Sequence, residues 1–212
     1  MNWTRTVFFG LMMCLGIGVI GLAIFGLPHL RVNQGGSGVN RAILETPTPV
    51  TNPEDALQTS TNALVAQDYG PAPEFNNQTW LNADKPLKIG DQKGKVVLIE
   101  FWTFECINCQ HTLGAMKDFY SKYHDNGLVI MTDHFPEFPY EADVNNVRDF
   151  LAQNDIRYPV AIDNDGATWN AYGQRYWPTM YLVDKRGEIR YVAIGEHDYS
   201  RTETAIRALL SE

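Results

Sequence analysis

Residues 95–110 read KVVLIEFWTFECINCQ, in which the seven-residue run 96–102 holds one charged side chain and passes, four residues on, into a Cys-x-x-Cys pair. A short apolar run of this kind is a strand buried on both faces. The cysteines come just after it, where the strand ends and a helix begins, so the fold must carry two thiols at the tip of a central strand. Three chemistries use such a pair: a redox dithiol, half of a zinc site, or a structural disulfide.

The rest of the chain narrows the choice. Only three cysteines occur in 212 residues, and Cys14 sits in an apolar N-terminal segment, which leaves Cys106 and Cys109 as the pair. Structural zinc takes four ligands, commonly a second Cys-x-x-Cys or a His-x-x-x-His; neither is present, and His111, His124 and His134 are scattered. A structural disulfide at this spacing closes so small a loop that it restricts the unfolded chain little. A redox dithiol fits best. At a helix N-terminus the free backbone N–H groups and the helix dipole favour a thiolate, which makes Cys106 the attacking sulfur. Cys109, three residues on along the same helical face, is placed to resolve a mixed disulfide. No metal and no organic cofactor is implied.

Around the pair the pattern alternates strand and helix. TWLNA and PLKI read as a short hairpin before the central strand. A helix runs from the cysteines to about His124, LVIMTDH is the next strand, and EADVNNVRDFLAQN the next helix. PVAID, TMYLVD and EIRYVAIG follow as strands, and Ser200 with Glu203 forms a capping box that opens a last helix with Ala205, Ile206, Leu209 and Leu210 on one face. This order predicts an α/β, thioredoxin-like fold: a central mixed sheet flanked by helices, with an N-terminal hairpin extension. A formal charge of −8 and a pI near 5.1, with no basic stripe, exclude a nucleic-acid partner.

Upstream, residues 7–27 (VFFGLMMCLGIGVIGLAIFGL) carry no charge. As a helix they would cover roughly 30 Å, the hydrocarbon thickness of a bilayer. They read as a single transmembrane helix, with residues 1–6 as a cytoplasmic tail and Cys14 as an embedded packing residue. Arg5 on one side is balanced by Arg31 and Arg41 on the other, so charge alone does not orient the span. The short leading tail and long acidic domain place the catalytic domain outside a bacterial cytoplasmic membrane. Residues 28–70 are rich in Gly, Pro, Thr and Asn and read as a flexible tether with a possible short helix at 54–66; residues 71–212 are the domain.

FWTFECINCQ, HFPEF at 134–138, RYPVAIDND at 157–165, ATWNAYGQRYWP at 167–178 and GEHDYSRTE at 195–203 together resemble the TlpA/DipZ-like family of thioredoxin-like thiol:disulfide oxidoreductases. The resemblance covers roughly residues 73–210. It implies that Cys106 and Cys109 form a disulfide on oxidation. It also implies a cis peptide at Trp177–Pro178, where the loop faces the dithiol and its backbone pairs with substrate; by itself that dipeptide is a turn or a strand start. Glu100, six residues before Cys106, matches the buried acid that takes the resolving cysteine's proton, and burial in an apolar strand would raise its pKa to suit. The alternative for Glu100 is an edge carboxylate facing water. Trp102 either flanks the dithiol against substrate or packs in the core.

The sequence departs from the family pattern at two positions. Glu100 stands where the family carries Asp, and Glu105 stands directly before Cys106 where a small polar residue is usual. An acid beside the attacking thiolate opposes the helix dipole and makes the pair a better reductant. The expected partners are protein disulfides and dithiols, apocytochrome c cysteines among them, with a CcdA- or DsbD-like membrane protein as electron donor. A dithiol oxidase, a peroxide-handling protein and a non-enzymatic domain with a Cys-x-x-Cys staple are the alternatives. No role is assigned to the HFPEF element beyond a salt-bridged loop.

Overall fold

The computed structural model describes residues 52–212; the expected transmembrane helix, Cys14 and the first part of the tether lie outside them. Among the described residues no helix is long and apolar enough to cross a membrane.

The core is a six-stranded sheet, numbered in chain order β1 (Trp80–Leu81), β2 (Val96–Trp102), β3 (Leu128–His134), β4 (Val160–Ile162), β5 (Thr179–Val183) and β6 (Ile189–Ile194). In space the order is β1-β4-β3-β2-β5-β6, with β2, β3 and β4 parallel and β1, β5 and β6 antiparallel to their neighbours. β2 is buried along its whole length, as its apolar run requires. Its alternate residues feed both faces of the sheet. Val96, Leu98 and Trp102 join one cluster with Leu113, Met116, Leu151 and Leu209; Val97, Ile99 and Phe101 join another with Phe75 and Trp169.

Among the described residues five α-helices complete the layers: α1 (Pro53–Leu64), α2 (Ile107–Tyr123), α3 (Val144–Gln153), α4 (Ala167–Ala171) and α5 (Tyr199–Ser211). α1 lies antiparallel along α5, with Glu54 and Leu57 beside Arg207 and Ser211, and Ser60 and Leu64 beside Ser200 and Arg201. Val65, only 5 % exposed, enters the core behind it. The folded unit therefore takes in residues that the sequence assigns to the tether. The far end of α5 is tied to the β5–β6 turn, where Lys185 Nζ donates to the Leu210 carbonyl at 2.9 Å.

Two local expectations fail for identifiable reasons. The hairpin does not form, because Trp80–Leu81 pairs with Val160–Ala161 and residues 86–89 are not a strand. Asn82 turns the chain out of the sheet in the left-handed region (φ 56°), and its side chain donates to the carbonyls of Ile156 and Tyr158. The cap of α5 is Asp198, which accepts the Ser200 amide at 3.0 Å, rather than Ser200 itself. Glu203 instead accepts from Lys122 Nζ (3.1 Å) and the Tyr123 hydroxyl (2.8 Å) on α2.

Candidate active site

The sheet fixes one end of the molecule as the site. Ile162, His134 and Trp102 stand side by side where β4, β3 and β2 end. Phe101 pairs with Thr179, so one step further Pro178 falls opposite Trp102. Beyond it the Gly195 amide donates to the Pro178 carbonyl at 2.8 Å. Out of this edge β2 runs through Thr103–Glu105 into α2, whose N-cap is Cys106.

Cys106 is half-buried and Cys109 buried, and the two sulfurs are unbonded. The Cys106 sulfur accepts the Cys109 amide N–H at 3.4 Å, so a backbone donor of the first turn is aimed at it. Burial pushes the Cys109 thiol strongly up, and its hydrogen bond to Cys106 and the Glu100 charge add to the effect. The two sulfurs are thus chemically unequal: one meets solvent and a donor, the other is held as a thiol.

Glu100 lies on the same face of β2 as Leu98 and Trp102, beneath α2, and is 1 % exposed. Burial pushes its pKa from 4.5 to about 8, against a smaller opposing effect of the Thr112 hydroxyl. That hydroxyl sits 2.6 Å from Glu100 Oε1 and 2.7 Å from the Cys109 carbonyl. It has one proton to give. Both contacts are hydrogen bonds at once only when the carboxyl is protonated and donates to Thr112, which then donates to Cys109. Geometry and burial agree on a neutral Glu100 near pH 7. Tyr158, whose buried hydroxyl has no partner, lies close enough that the Glu100 charge adds to the burial raising its phenol.

The other expected residues divide. The Trp177–Pro178 peptide is cis. The Trp177 ring is packed inward between Phe135 (6.0 Å between centroids) and Trp169 (4.6 Å), so it braces the proline loop from below. Trp102 is 2 % exposed, donates from Nε1 to Thr132 Oγ1 at 3.2 Å and meets the His134 ring edge-on. It is a core residue, and burial closes it to any substrate. Glu105 is exposed and faces Tyr140: burial raises that phenol first, and the Glu105 charge adds to it.

Sequence reasoning missed the residues that fix the loops. Glu141 is fully buried and accepts from Thr103 Oγ1, from the Glu105 amide (3.0 Å) and from the Glu137 and Phe138 amides (both 2.7 Å). His134, also fully buried, approaches Thr103 Oγ1 through Nε2 at 3.3 Å and stacks on Phe104. Burial lowers its pKa from 6.5 to about 4. The HFPEF loop is therefore held by Glu141, with Glu137 exposed, and not by a salt bridge. Thr112 had a signal, since it stands three residues past Cys109 on the same helical face; Glu141 had none. On the opposite side of the sheet a second polar group is buried: Asn77 Nδ2 donates to Asp133 Oδ1 at 3.3 Å, and Asp163 accepts the Thr168 and Trp169 amides at 3.2 and 2.7 Å. Among the described residues no three His, Cys, Asp or Glu side chains are arranged to hold a metal ion.

With this geometry in view, the sequence matches the AhpC/TSA family over residues 70–192. The chain belongs to that family. It is 42 % identical to Protein DipZ of Mycobacterium tuberculosis over 156 residues, which are 72 % of this chain and 22 % of DipZ. It is 29 % identical to the thiol-disulfide oxidoreductase YkuV of Bacillus subtilis over 67 % of this chain and 95 % of YkuV. Its fold superposes on a putative thiol:disulfide interchange protein DsbE from Chlorobium tepidum with a TM-score of 0.58, at 25 % identity, over 68 % of this chain and 98 % of that one. The chain spans about a fifth of DipZ, so that protein's full activity is not carried by the match alone. Within the family the chain is similar to DipZ and to thioredoxin-like proteins named as thiol-disulfide oxidoreductases.

Proposed function

We propose that the chain is a membrane-anchored, extracytoplasmic thiol:disulfide oxidoreductase that reduces disulfides of other proteins through Cys106 and Cys109. The observation that carries this reading is the inequality of the two sulfurs above a buried carboxyl whose pKa is about 8.

The Cys106 thiolate attacks one sulfur of a client disulfide; that S–S bond breaks, the released client sulfur takes a proton from water, and a mixed disulfide forms. Cys109 then gives its proton to Glu100, and its sulfur attacks Cys106. The mixed disulfide breaks, the Cys106–Cys109 disulfide forms, and the second client sulfur leaves as a thiolate. Two electrons have passed to the client, and Glu100 releases its proton to solvent. Only the ionised form of Glu100 can accept, so this second step quickens as pH rises toward about 8. Glu105 tunes the pair from the exposed side, and the Trp177–Pro178 loop receives the client's backbone as a short strand.

Direction follows from compartment: outside the cytoplasm disulfides form by default, so a dithiol there is useful when electrons are supplied across the membrane. A CcdA- or DsbD-like donor fits, as do apocytochrome c cysteines among the clients. The uncharged run at 7–27 supports the anchor, and the DipZ and DsbE-like relatives support an exported domain.

The test uses full-length protein in its membrane. Cys109→Ser should accumulate mixed disulfides that Cys106→Ser lacks, and a membrane-impermeant maleimide on intact cells should label Cys106 in the wild type. Faster alkylation of Cys109 would reverse the roles. A pair found oxidised in growing cells would favour a dithiol oxidase, and label only after lysis would place the domain inside.

A further inference from the structure

Glu141 belongs to the one-turn helix Pro139–Ala142, where a glutamate ordinarily closes a local cap. Its Oε2 does this, accepting the Glu137 and Phe138 amides four and three residues back. Its Oε1 does something local structure does not ask for. It reaches Thr103 Oγ1 and the Glu105 amide, 38 and 36 residues away, both in the turn between β2 and the dithiol. One fully buried carboxyl thus ties the last residue before Cys106 to the loop that follows β3.

The direction of each bond can be worked out. The Thr103 hydroxyl gives its only proton to Glu141, so its 3.3 Å contact with His134 must be donated by Nε2–H. That fixes the imidazole tautomer and leaves Nδ1 as a bare acceptor, which is the buried atom of this ring without a partner. The chain of donors runs one way, from His134 through Thr103 to Glu141, and each member has its orientation set by the next. The Glu105 amide it ends beside is one residue from Cys106, whose sulfur must stay 3.4 Å from the Cys109 amide. Little slack remains between the carboxyl and the sulfur.

We propose that Glu141 is a positioning residue for the dithiol: through Thr103 Oγ1 and the Glu105 amide it sets where the Cys106 sulfur stands relative to the first turn of α2. The inference rests on Cys106 being the attacking thiol. Glu141 touches no reacting atom, and its effect passes through the backbone of the 103–106 turn.

The cleanest probe is Thr103, where a methyl or a hydrogen can replace groups one at a time. Thr103→Val keeps shape and loses the hydroxyl; Thr103→Ser keeps the hydroxyl. In the full chain, the pH profile of Cys106 alkylation by iodoacetamide and the reduction potential against glutathione should both move in Thr103→Val. The profile should shift by about half a pH unit or more, and exchange with a disulfide client should slow roughly tenfold, as expected of a sulfur slightly out of place. Thr103→Ser should restore all three. A Thr103→Val protein that melts at a lower temperature yet keeps the wild-type profile and potential would make the clamp purely structural and overturn the proposal. Should Thr103→Val fail to fold, Glu141→Gln, which keeps one oxygen and the side-chain size, must show the same shifts. Wild-type protein that alkylates first at Cys109 would defeat the assignment of roles instead, a separate outcome from an unmoved Thr103→Val profile.

Discussion

Two buried glutamates serve this site and are treated in opposite ways. Glu141, in the wall beside the dithiol, accepts four hydrogen bonds. Glu100, in the floor beneath it, has among the described residues only Thr112. A buried carboxyl that meets several donors is pinned by them and can fasten backbone; one that meets almost none is pushed to neutrality by burial and can carry a proton. In the proposed scheme the wall fixes geometry and the floor moves charge. A buried acid therefore cannot be assigned a role from burial alone, and the number of donors decides.

The sharpest way to break this contrast is at Glu100. Unfolded, it titrates near 4.5; folded, near 8. Between those values the unfolded chain ionises first, the folded state holds the extra proton, and stability falls as pH rises; above about 8 the loss is complete. A gap of 8 − 4.5 = 3.5 units corresponds to about 4–5 kcal/mol. Glu100→Gln should recover much of this at pH 8 in chemical denaturation and should flatten the pH dependence of mixed-disulfide resolution. A variant no more stable at pH 8 than wild type would show that water reaches the carboxyl.

His134, on the wall side, should act with the opposite sign. Its folded pKa of about 4 lies below its ordinary 6.5, so the unfolded chain takes the proton first and stability is lost as pH falls from 6.5 to 4. The 2.5-unit gap is worth about 3 kcal/mol. His134→Gln should abolish that acid-side loss. Between 4.5 and 6.5 the two residues nearly cancel, and between 6.5 and 8 Glu100 acts alone. An acid limb unchanged in His134→Gln would mean another group carries it.

A smaller effect sharpens the account of the floor. Thr112→Val removes the hydroxyl that can turn to donate to Glu100 once the carboxyl ionises, so it should raise that pKa further and cost about 1 kcal/mol at neutral pH. The smallest effect is expected at Glu105. It is exposed and faces Tyr140, so Glu105→Gln should make the potential less negative by at most about 30 mV, shrinking in high salt. A larger shift would make the exposed rim, rather than the wall, the main tuner.

What could be read in advance depended on how far apart the partners lie in sequence. The strand and the Cys-x-x-Cys fall within 95–110, and local pattern sufficed for them; the acid six residues before the pair lies in the same stretch, but local pattern left it open between core and edge, and the family resemblance supplied the buried reading. The strands β2, β3, β5 and β6 announced themselves by apolar runs. The wall did not, because Thr103, His134 and Glu141 meet only after β2 and β3 pair in register, and no periodicity marks the last of them. The expected hairpin failed on Asn82, whose side chain prefers carbonyls 74 and 76 residues away. Asp198 displaced Ser200 as a cap because either side chain can accept an amide in that position, and sequence does not say which will. Trp102 could be read as exposed or buried; its partner Thr132 lies on the neighbouring strand.

The antiparallel seat of α1 on α5 has an architectural consequence. α5 starts just past β6, at the dithiol end, and finishes beside the β5–β6 turn, so its 13 residues run roughly 20 Å to the opposite pole. α1 opens at that far pole, where Glu54 lies beside Arg207 and Ser211. The first described helix thus opens at the heel of the domain, while the Cys106 sulfur sits at its toe.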